Sequence, residues 1–322
     1  MKAIGFTHFG GPEVFEEITT KELPTYKENQ VLIKTLKAGV NPYDALLRSG
    51  EMAKFRPLAF PIIPGTDVVG EIIAVGNDVT DFSIGDIVIA NPSIGGYSQY
   101  IAISHKRIMK KPEKMSLSIA AGFASVSVTA YWAIMGFAPV KKGATIIIQG
   151  ASGAVGGVAV QIAKDNGLYV IGIGNSRNKE YVLSLGADEF AAYNEEHSTS
   201  SLANRADIVL DASFGGKGAP SGLDLVKDGG YYLSLTAVPE AQPDKNVTIV
   251  SIQRTKDMTT GKALTYLSDL YQRKEIIMET ALEFPLTAVG ASKAHQAIET
   301  KNKPEKLFYL LKTTDFIGFS AL

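Results

Sequence analysis

The segment Ala144-Thr145-Ile146-Ile147-Ile148-Gln149-Gly150-Ala151-Ser152-Gly153-Ala154-Val155-Gly156-Gly157 constrains the fold more than any other stretch of the chain. A β-branched apolar run enters a turn of small residues, and Val158, Ile162 and Ala163 then recur at helical spacing. Glycines in such a turn let the backbone bend tightly and approach a pyrophosphate, whose charge meets the free N–H groups at the start of the helix. Gly153 and Gly156 hold the second and third places of a G-x-G-x-x-G fingerprint, and Ala151 takes the first. Ser152, Gly153, Ala154, Val155 and Gly156 are therefore the expected pyrophosphate cradle. A purely structural glycine turn is the alternative, and the strand before and helix after weigh against it.

The same texture continues beyond this segment. Apolar strands are expected at Ala144–Gln149, Tyr169–Gly174, Phe190–Tyr193, Asp207–Ala212, Tyr231–Thr236 and Val247–Ile252. Helical stretches fall between them at Val155–Asn166 and Asn178–Leu185, the alternation of a doubly wound parallel sheet. The first 120 residues read differently, as short β segments at Val31–Thr35, Asp67–Val75, Asp86–Ala90 and Tyr97–Ile103 broken by Gly and Pro signals. Past Lys274, Glu283–Leu286, a helix over Ala291–Thr300 and Lys306–Leu311 read as a return to that first domain. With 322 residues two domains are expected, a discontinuous one over 1–120 and 275–322 and a second over 121–274. No element is assigned to the tail 313–322.

Cofactor choice is read at the end of the second strand, where NAD enzymes place an acidic residue for the ribose hydroxyls. Here the chain reads Gly174-Asn175-Ser176-Arg177-Asn178-Lys179. No carboxylate stands there to repel a 2′-phosphate, and Ser176, Arg177 and Lys179 are available to bind it, with Asn175 beside them among the expected cofactor-binding residues, so NADPH is favoured over NADH. The alternative is a pair of solvated cations, which sit poorly at the start of a helix without an anion.

Over about 310 of the 322 residues, the order of these pieces resembles the medium-chain dehydrogenase/reductase superfamily, in its zinc-free quinone oxidoreductase, zeta-crystallin-like branch. The resemblance is carried by Phe9-Gly10-Gly11-Pro12-Glu13-Val14, Ala38-Gly39-Val40-Asn41-Pro42-Tyr43-Asp44, Pro64-Gly65-Thr66-Asp67-Val68-Val69-Gly70, Gly85-Asp86, Thr129-Ala130-Tyr131, the Ala151–Gly156 turn and Leu185-Gly186-Ala187. It implies an α/β fold: a discontinuous GroES-like β domain plus a Rossmann doubly wound parallel-sheet domain. Where zinc relatives carry a cysteine and a histidine ligand, this chain has Asn41 and Thr66, and the four-cysteine structural lobe is missing. Without a Lewis acid the acceptor must already be electrophilic, a quinone or an activated alkene.

The resemblance places Asn41 beside the nicotinamide, where its amide could donate to developing negative charge, and Tyr43 where relatives keep a proton-relay hydroxyl, as proton donor or as substrate positioner. The other reading is an Asn-Pro turn followed by a packing tyrosine. The resemblance also carries Thr129 onto the nicotinamide carboxamide, Tyr193 onto the adenosine half and Phe214 onto the wall of the cofactor site. Three activities stay open: quinone reduction, reduction of 2-enals, enones or enoyl thioesters, and NADPH binding as a sensor without turnover. Relatives of this kind are commonly homodimers or homotetramers, and the edge strand near Val247–Ile252 could pair across a two-fold axis.

Composition removes the remaining classes. The chain has no cysteine, which excludes disulfides, thiolate nucleophiles and cysteine-held zinc or iron–sulfur clusters. Its histidines, His8, His105, His197 and His295, are far apart with no ligand spacing, so no metal is expected. Lys and Arg number 32 against 33 Asp and Glu, with no like-charge run to hold a nucleic acid. Leu117–Val140 carries no charge but holds Ser118, Ser125, Ser127, Thr129 and Pro139, and is expected as a buried helix rather than a membrane span. The N-terminus shows no apolar signal region, so a cytoplasmic address is expected.

Overall fold

The computed structural model describes residues 1–236, 238–239, 245–253, 255–300 and 308–313. Lys306 and Leu307 of the last expected strand, and 314–322 of the tail, lie outside the described residues. In chain order the first strands are β1 (Lys2–Gly5), β2 (Glu16–Thr19) and β3 (Gln30–Val40), followed by helix α1 (Pro42–Ser49) and strands β4 (Asp67–Val75), β5 (Ile87–Ala90), β6 (Tyr100–Ser104) and β7 (Ile108–Lys110). Next come α2 (Leu117–Met135), β8 (Thr145–Gln149), α3 (Ala154–Asp165), β9 (Tyr169–Gly174), α4 (Lys179–Ser184), β10 (Glu189–Ala192) and β11 (Ala206–Asp211). The chain continues through α5 (Ala219–Leu225), β12 (Val226–Ser234), β13 (Thr248–Ser251), α6 (Thr260–Arg273), β14 (Thr280–Pro285), α7 (Ala288–Glu299) and β15 (Phe308–Lys312). It divides into two compact units, Met1–Ser125 with Glu279–Leu322, and Val126–Met278.

In the first unit β3 is the hub of a mixed sheet. It pairs with β4 along one edge, while β6 takes residues 30–34 and β15 takes residues 37–40 of the other. Strand β15, distant from β3 in sequence, thus sits between β14 and β3 in this sheet. Val31, Ile33, Val68, Ile72 and Val88 are buried from this sheet, and α7 adds Ala291, Ala294 and Ile298 to the same core. Tyr97, expected inside a strand, lies before β6 and is fully buried.

A chain of buried polar groups joins α7 to α1. Arg48 Nη1 lies 3.2 Å from His295 Nδ1, and a guanidinium only donates, so Nδ1 accepts and the imidazole hydrogen sits on Nε2. Nε2 lies 3.1 Å from the Tyr97 oxygen, and the Tyr97 hydroxyl donates to Asp44 Oδ2 at 3.4 Å. Arg48 Nη2 also donates to Glu299 at 2.6 Å. Burial, with Arg48 beside it, pushes the His295 imidazole down to about 3 and keeps it neutral.

The second unit carries a six-stranded parallel sheet in the order β10-β9-β8-β11-β12-β13. Read in chain order along the sheet that is 3-2-1-4-5-6, the doubly wound arrangement expected from the alternating pattern. Each expected strand is present within a few residues, β12 beginning earlier, at Val226. Helices α5 and α6 went unread in the sequence. Helix α5 opens on Ala219-Pro220 without a side-chain cap, whereas α6 is capped by Thr259 and buries Ala263, Leu264, Leu267 and Leu270 on one face. Helix α2 is long and apolar enough to cross a membrane, yet 61% of its most apolar window is buried inside the protein.

The neutral state of His295 gives a stability test with a definite sign. The unfolded chain binds a proton near the ordinary value of 6.5 and the folded chain only near 3, so the stability from neutral His295 is complete above about 6.5 and lost as pH falls toward 3. Relative to a His295→Gln variant, the wild type should lose about 2 kcal/mol between pH 7 and pH 5, checked by urea unfolding of both chains at each pH. A pH-independent difference would show that the imidazole protonates in place.

Candidate active site

In the second unit the site begins where β8 ends. Gly150, with φ at +74°, makes the left-handed turn that the fingerprint assigns to its first glycine. Ala151 can therefore occupy the next place, fully buried, its N–H bonded to the Ile173 carbonyl at 3.0 Å. Gly153 forms the extended N-cap of α3 without a side-chain cap, and Ala154 and Val155 follow, half-buried, in the first turn. A Cβ at Gly156 would be driven into the Gly150 carbonyl oxygen, so glycine there sets how closely α3 approaches the turn. The turn lies between β9 and β11, where the direction of strand connection reverses and α/β proteins bind their ligands.

The residues after β9 gather at the same end of the sheet. Asn178 Nδ2 donates to the buried Ser152 hydroxyl at 3.1 Å, which ties the loop to the glycine turn. Ser176 and Asn194 exchange two hydrogen bonds, and Asn175 Nδ2 reaches the Tyr193 hydroxyl at 3.4 Å. Arg177 and Lys179 are exposed and form no ion pair among the described residues. Tyr193 follows β10 and is 55% exposed. Thr129 is half-buried in α2. Phe214 opens a short 3-10 turn after β11, and its side chain lies outside what the structure describes.

In the first unit the chemistry is arranged around the start of α1. The Asn41-Pro42 pair opens a helix rather than a turn, with Asn41 as N-cap, Pro42 at the first position and Asp44 at the third. The Asp44 carboxylate accepts from the Asn41 N–H at 2.8 Å and the Gly65 N–H at 3.0 Å. Complete burial nevertheless pushes its carboxyl up to about 7. Asp67 is equally buried and pushed up to about 6. It accepts from Asn41 Nδ2 at 2.9 Å and the Ser125 N–H at 2.6 Å.

Asn41 Nδ2 also donates to Thr66 Oγ1 at 3.1 Å. Both hydrogens of the amide read from sequence as a donor to developing charge are therefore committed within the protein. Asn91 closes the knot by donating to the Thr66 carbonyl and the Ser125 hydroxyl, each at 2.9 Å. Tyr43, one residue into α1, is half-buried, and its hydroxyl accepts from Arg56 at 2.9 Å. Sequence reasoning missed Arg56, Asn91 and Ser125, which no local pattern marks, and gave no role to Asp44, although its spacing from Asn41 is a capping-box signal. Among the described residues no group of three or more His, Cys, Asp or Glu is arranged so that it could hold a metal ion. With Asn41 and Thr66 flanking Asp67, the side chains here do not fit a catalytic zinc ion.

Residues 27–113 match the family described as alcohol dehydrogenase GroES-like domain, and residues 154–270 that described as zinc-binding dehydrogenase. The chain is 39% identical over 197 residues to the quinone oxidoreductase of Homo sapiens, a stretch covering 61% of this chain and 59% of that protein's length. The quinone oxidoreductase of Coxiella burnetii is 30% identical and superposes with a TM-score of 0.79, covering 98% of this chain and 99% of that one. The Escherichia coli quinone oxidoreductase, solved as a complex with NADPH, is 25% identical with a TM-score of 0.80, covering 97% of this chain and 100% of its own.

The close approach of α3 to the glycine turn gives a direct test. A Gly156→Val change forces the helix away from Gly150 and should destabilise the protein by about 2–4 kcal/mol, seen as a lowered thermal midpoint. An unchanged midpoint would mean that the turn tolerates a wider helix approach.

Proposed function

This chain belongs to the medium-chain dehydrogenase/reductase superfamily, in its quinone oxidoreductase branch, and from that premise we propose that it is a zinc-independent NADPH-dependent quinone reductase. The observation that carries the reading is the chemistry around α1, where an amide, hydroxyls and two buried carboxylates are knotted together by hydrogen bonds. Such a site positions groups and moves a proton, but it does not polarise an alcohol as a zinc ion would. The acceptor must therefore be electrophilic already.

NADPH, when bound, supplies a hydride from C4 of its nicotinamide. Ser152, Gly153, Ala154, Val155 and Gly156 hold the pyrophosphate, with Ser152 acting through the tie to Asn178. Asn175, Ser176, Arg177 and Lys179 take the 2′-phosphate, while Tyr193 and Phe214 flank the adenosine half and the cofactor wall. Thr129 receives the nicotinamide carboxamide. Asn41 acts by fixing the start of α1 rather than as a free donor, and Tyr43 delivers the proton that completes reduction of a quinone oxygen. The protein works in the cytoplasm as a homo-oligomer, pairing through β13 at the sheet edge.

The test is the initial rate of NADPH and NADH consumption against ortho- and para-quinones and 2-enals, after treatment with a chelator. NADPH-specific quinone turnover is expected. Turnover of 2-enals without quinones would move the protein to the double-bond reductases, and silence across the panel would leave an NADPH-binding sensor. Replacing Arg177 and Lys179 together by Ala should erode the preference for NADPH over NADH by about 1–2 kcal/mol, measured as the ratio of kcat/KM values. An unchanged ratio would place the 2′-phosphate on other residues.

A further inference from the structure

Tyr43 shares its hydroxyl with a residue that no motif marks. Arg56 Nη1 lies 2.9 Å from the Tyr43 oxygen and 2.9 Å from the Ser93 carbonyl oxygen. A guanidinium has hydrogens to give and no lone pair to receive them, so the bond runs from Arg56 to Tyr43. The single phenolic hydrogen is thereby turned away from Arg56 and left for another acceptor. Arg56 is half-buried and forms no ion pair with a carboxylate among the described residues. Among the described residues its charge stands beside the phenol oxygen without a carboxylate counter-ion.

The guanidinium is also held in place from two directions. The chain leaves α1 at Gly50 and turns at once, with the Arg56 N–H bonded to the Met52 carbonyl at 2.8 Å. Ser93 is braced in turn by Arg107, which donates to the Ser93 hydroxyl and to Asn91 Oδ1. Asn91 belongs to the knot around Asp67. Arg56 thus connects the Tyr43 hydroxyl to the same rigid hydrogen-bond system that sets the start of α1.

We propose that Arg56 is a positioning residue for the reduction, directing the Tyr43 hydrogen at the acceptor and steadying the Tyr43 oxygen as that proton leaves. The proposal rests on the reading of Tyr43 as proton donor. Hydride from NADPH and one proton convert a quinone to its hydroquinone. The O–H bond of Tyr43 breaks as an O–H bond forms on the acceptor oxygen, the phenolate charge faces the Arg56 N–H, and a solvent proton then restores the phenol. A hydrogen bond to a charged oxygen is stronger than one to a neutral hydroxyl, so the Arg56 contact gains strength as the proton departs. It favours the transition state over the bound ground state.

The experiment is a double-mutant cycle of Tyr43→Phe, Arg56→Met and the pair, with Arg56→Lys as the conservative variant. For each chain kcat and KM for 1,4-naphthoquinone, the solvent isotope effect on kcat and the dissociation constant of NADPH are measured. Arg56→Met should lower kcat roughly tenfold, a fraction of the 10²–10⁴ that a positioned proton donor contributes. NADPH affinity should hold and Arg56→Lys should recover part of the loss. In the Tyr43→Phe background the Arg56→Met change should cost nothing further, because no phenol remains to be steadied. Equal losses in both backgrounds would overturn the proposal and give Arg56 a role of its own. Slow Tyr43→Phe with unimpaired Arg56→Met would overturn the proposal alone, whereas wild-type turnover in Tyr43→Phe would overturn both it and the proton-donor reading. If Arg56→Met does not fold, Arg56→Gln and Arg56→Lys carry the same cycle.

Discussion

The first unit depends on one buried carboxyl group. Asp44 is inaccessible to solvent, and its two oxygens take the Asn41 and Gly65 backbone N–H groups and the Tyr97 hydroxyl. Those bonds join the end of β3, the first turn of α1, the loop before β4 and the segment entering β6. A side chain with one fewer acceptor would leave a buried donor unpaired, which costs about 1–3 kcal/mol for each group stranded. Burial and the nearby Asp67 raise the Asp44 carboxyl while the N–H bonds oppose them, and burial prevails, to about 7. From Asp44 the order extends through Tyr97 and His295 to Arg48, and so to the helix that returns from the far end of the chain.

The second unit depends on closeness rather than charge. Gly150 bends back with a positive φ, and the absence of a side chain at Gly156 lets α3 start almost against the Gly150 carbonyl. That packing leaves the N-cap of α3 without a side chain across it. The fingerprint departs from its usual form at Ala151, but the physical requirement is met one position earlier. A motif written as letters places the turn at a fixed residue, whereas the backbone needs only one glycine in reach of the left-handed region.

Much of this was legible in the sequence because it is local. Strand β9 was read without error from its apolar run, and β8, β10, β11 and β13 to within a residue at either end. The glycine turn falls within one strand–turn–helix stretch, and Arg177 and Lys179 stand two positions apart just after β9, so each is a local feature that spacing displays. Helix α1 shows what periodicity misses. Asn-Pro is a turn signal and a helix-start signal at once, and Asp44 at the third position is what decides between them. The polar knot was illegible for another reason. Its members Asn41, Thr66, Asn91 and Ser125 come from four separate parts of the chain, and each taken alone is an ordinary polar residue. Arg56 belongs with them, since nothing in its neighbours' identities says that its side chain will end at a phenol oxygen.

The same knot holds the start of α1 in place through hydrogen bonds. An ion that binds several side chains cross-links them, and losing its ligands would ordinarily loosen the site. Asp67 is itself a cross-linking acceptor, gathering the Asn41 amide and the Ser125 N–H while Asn91 bridges Thr66 to Ser125. A buried network rigidifies when its donors and acceptors are matched, and these bonds match them closely around Asp67. The rigidity passes to α1, which starts at Asn41 and is closed at Gly50 by a left-handed cap. Tyr43, in the first turn, is thereby carried on a fixed element, and Arg56 fixes the direction of its hydroxyl. A polar lattice can thus present one hydroxyl in a defined place, which is the orientation that a positioned reacting group requires.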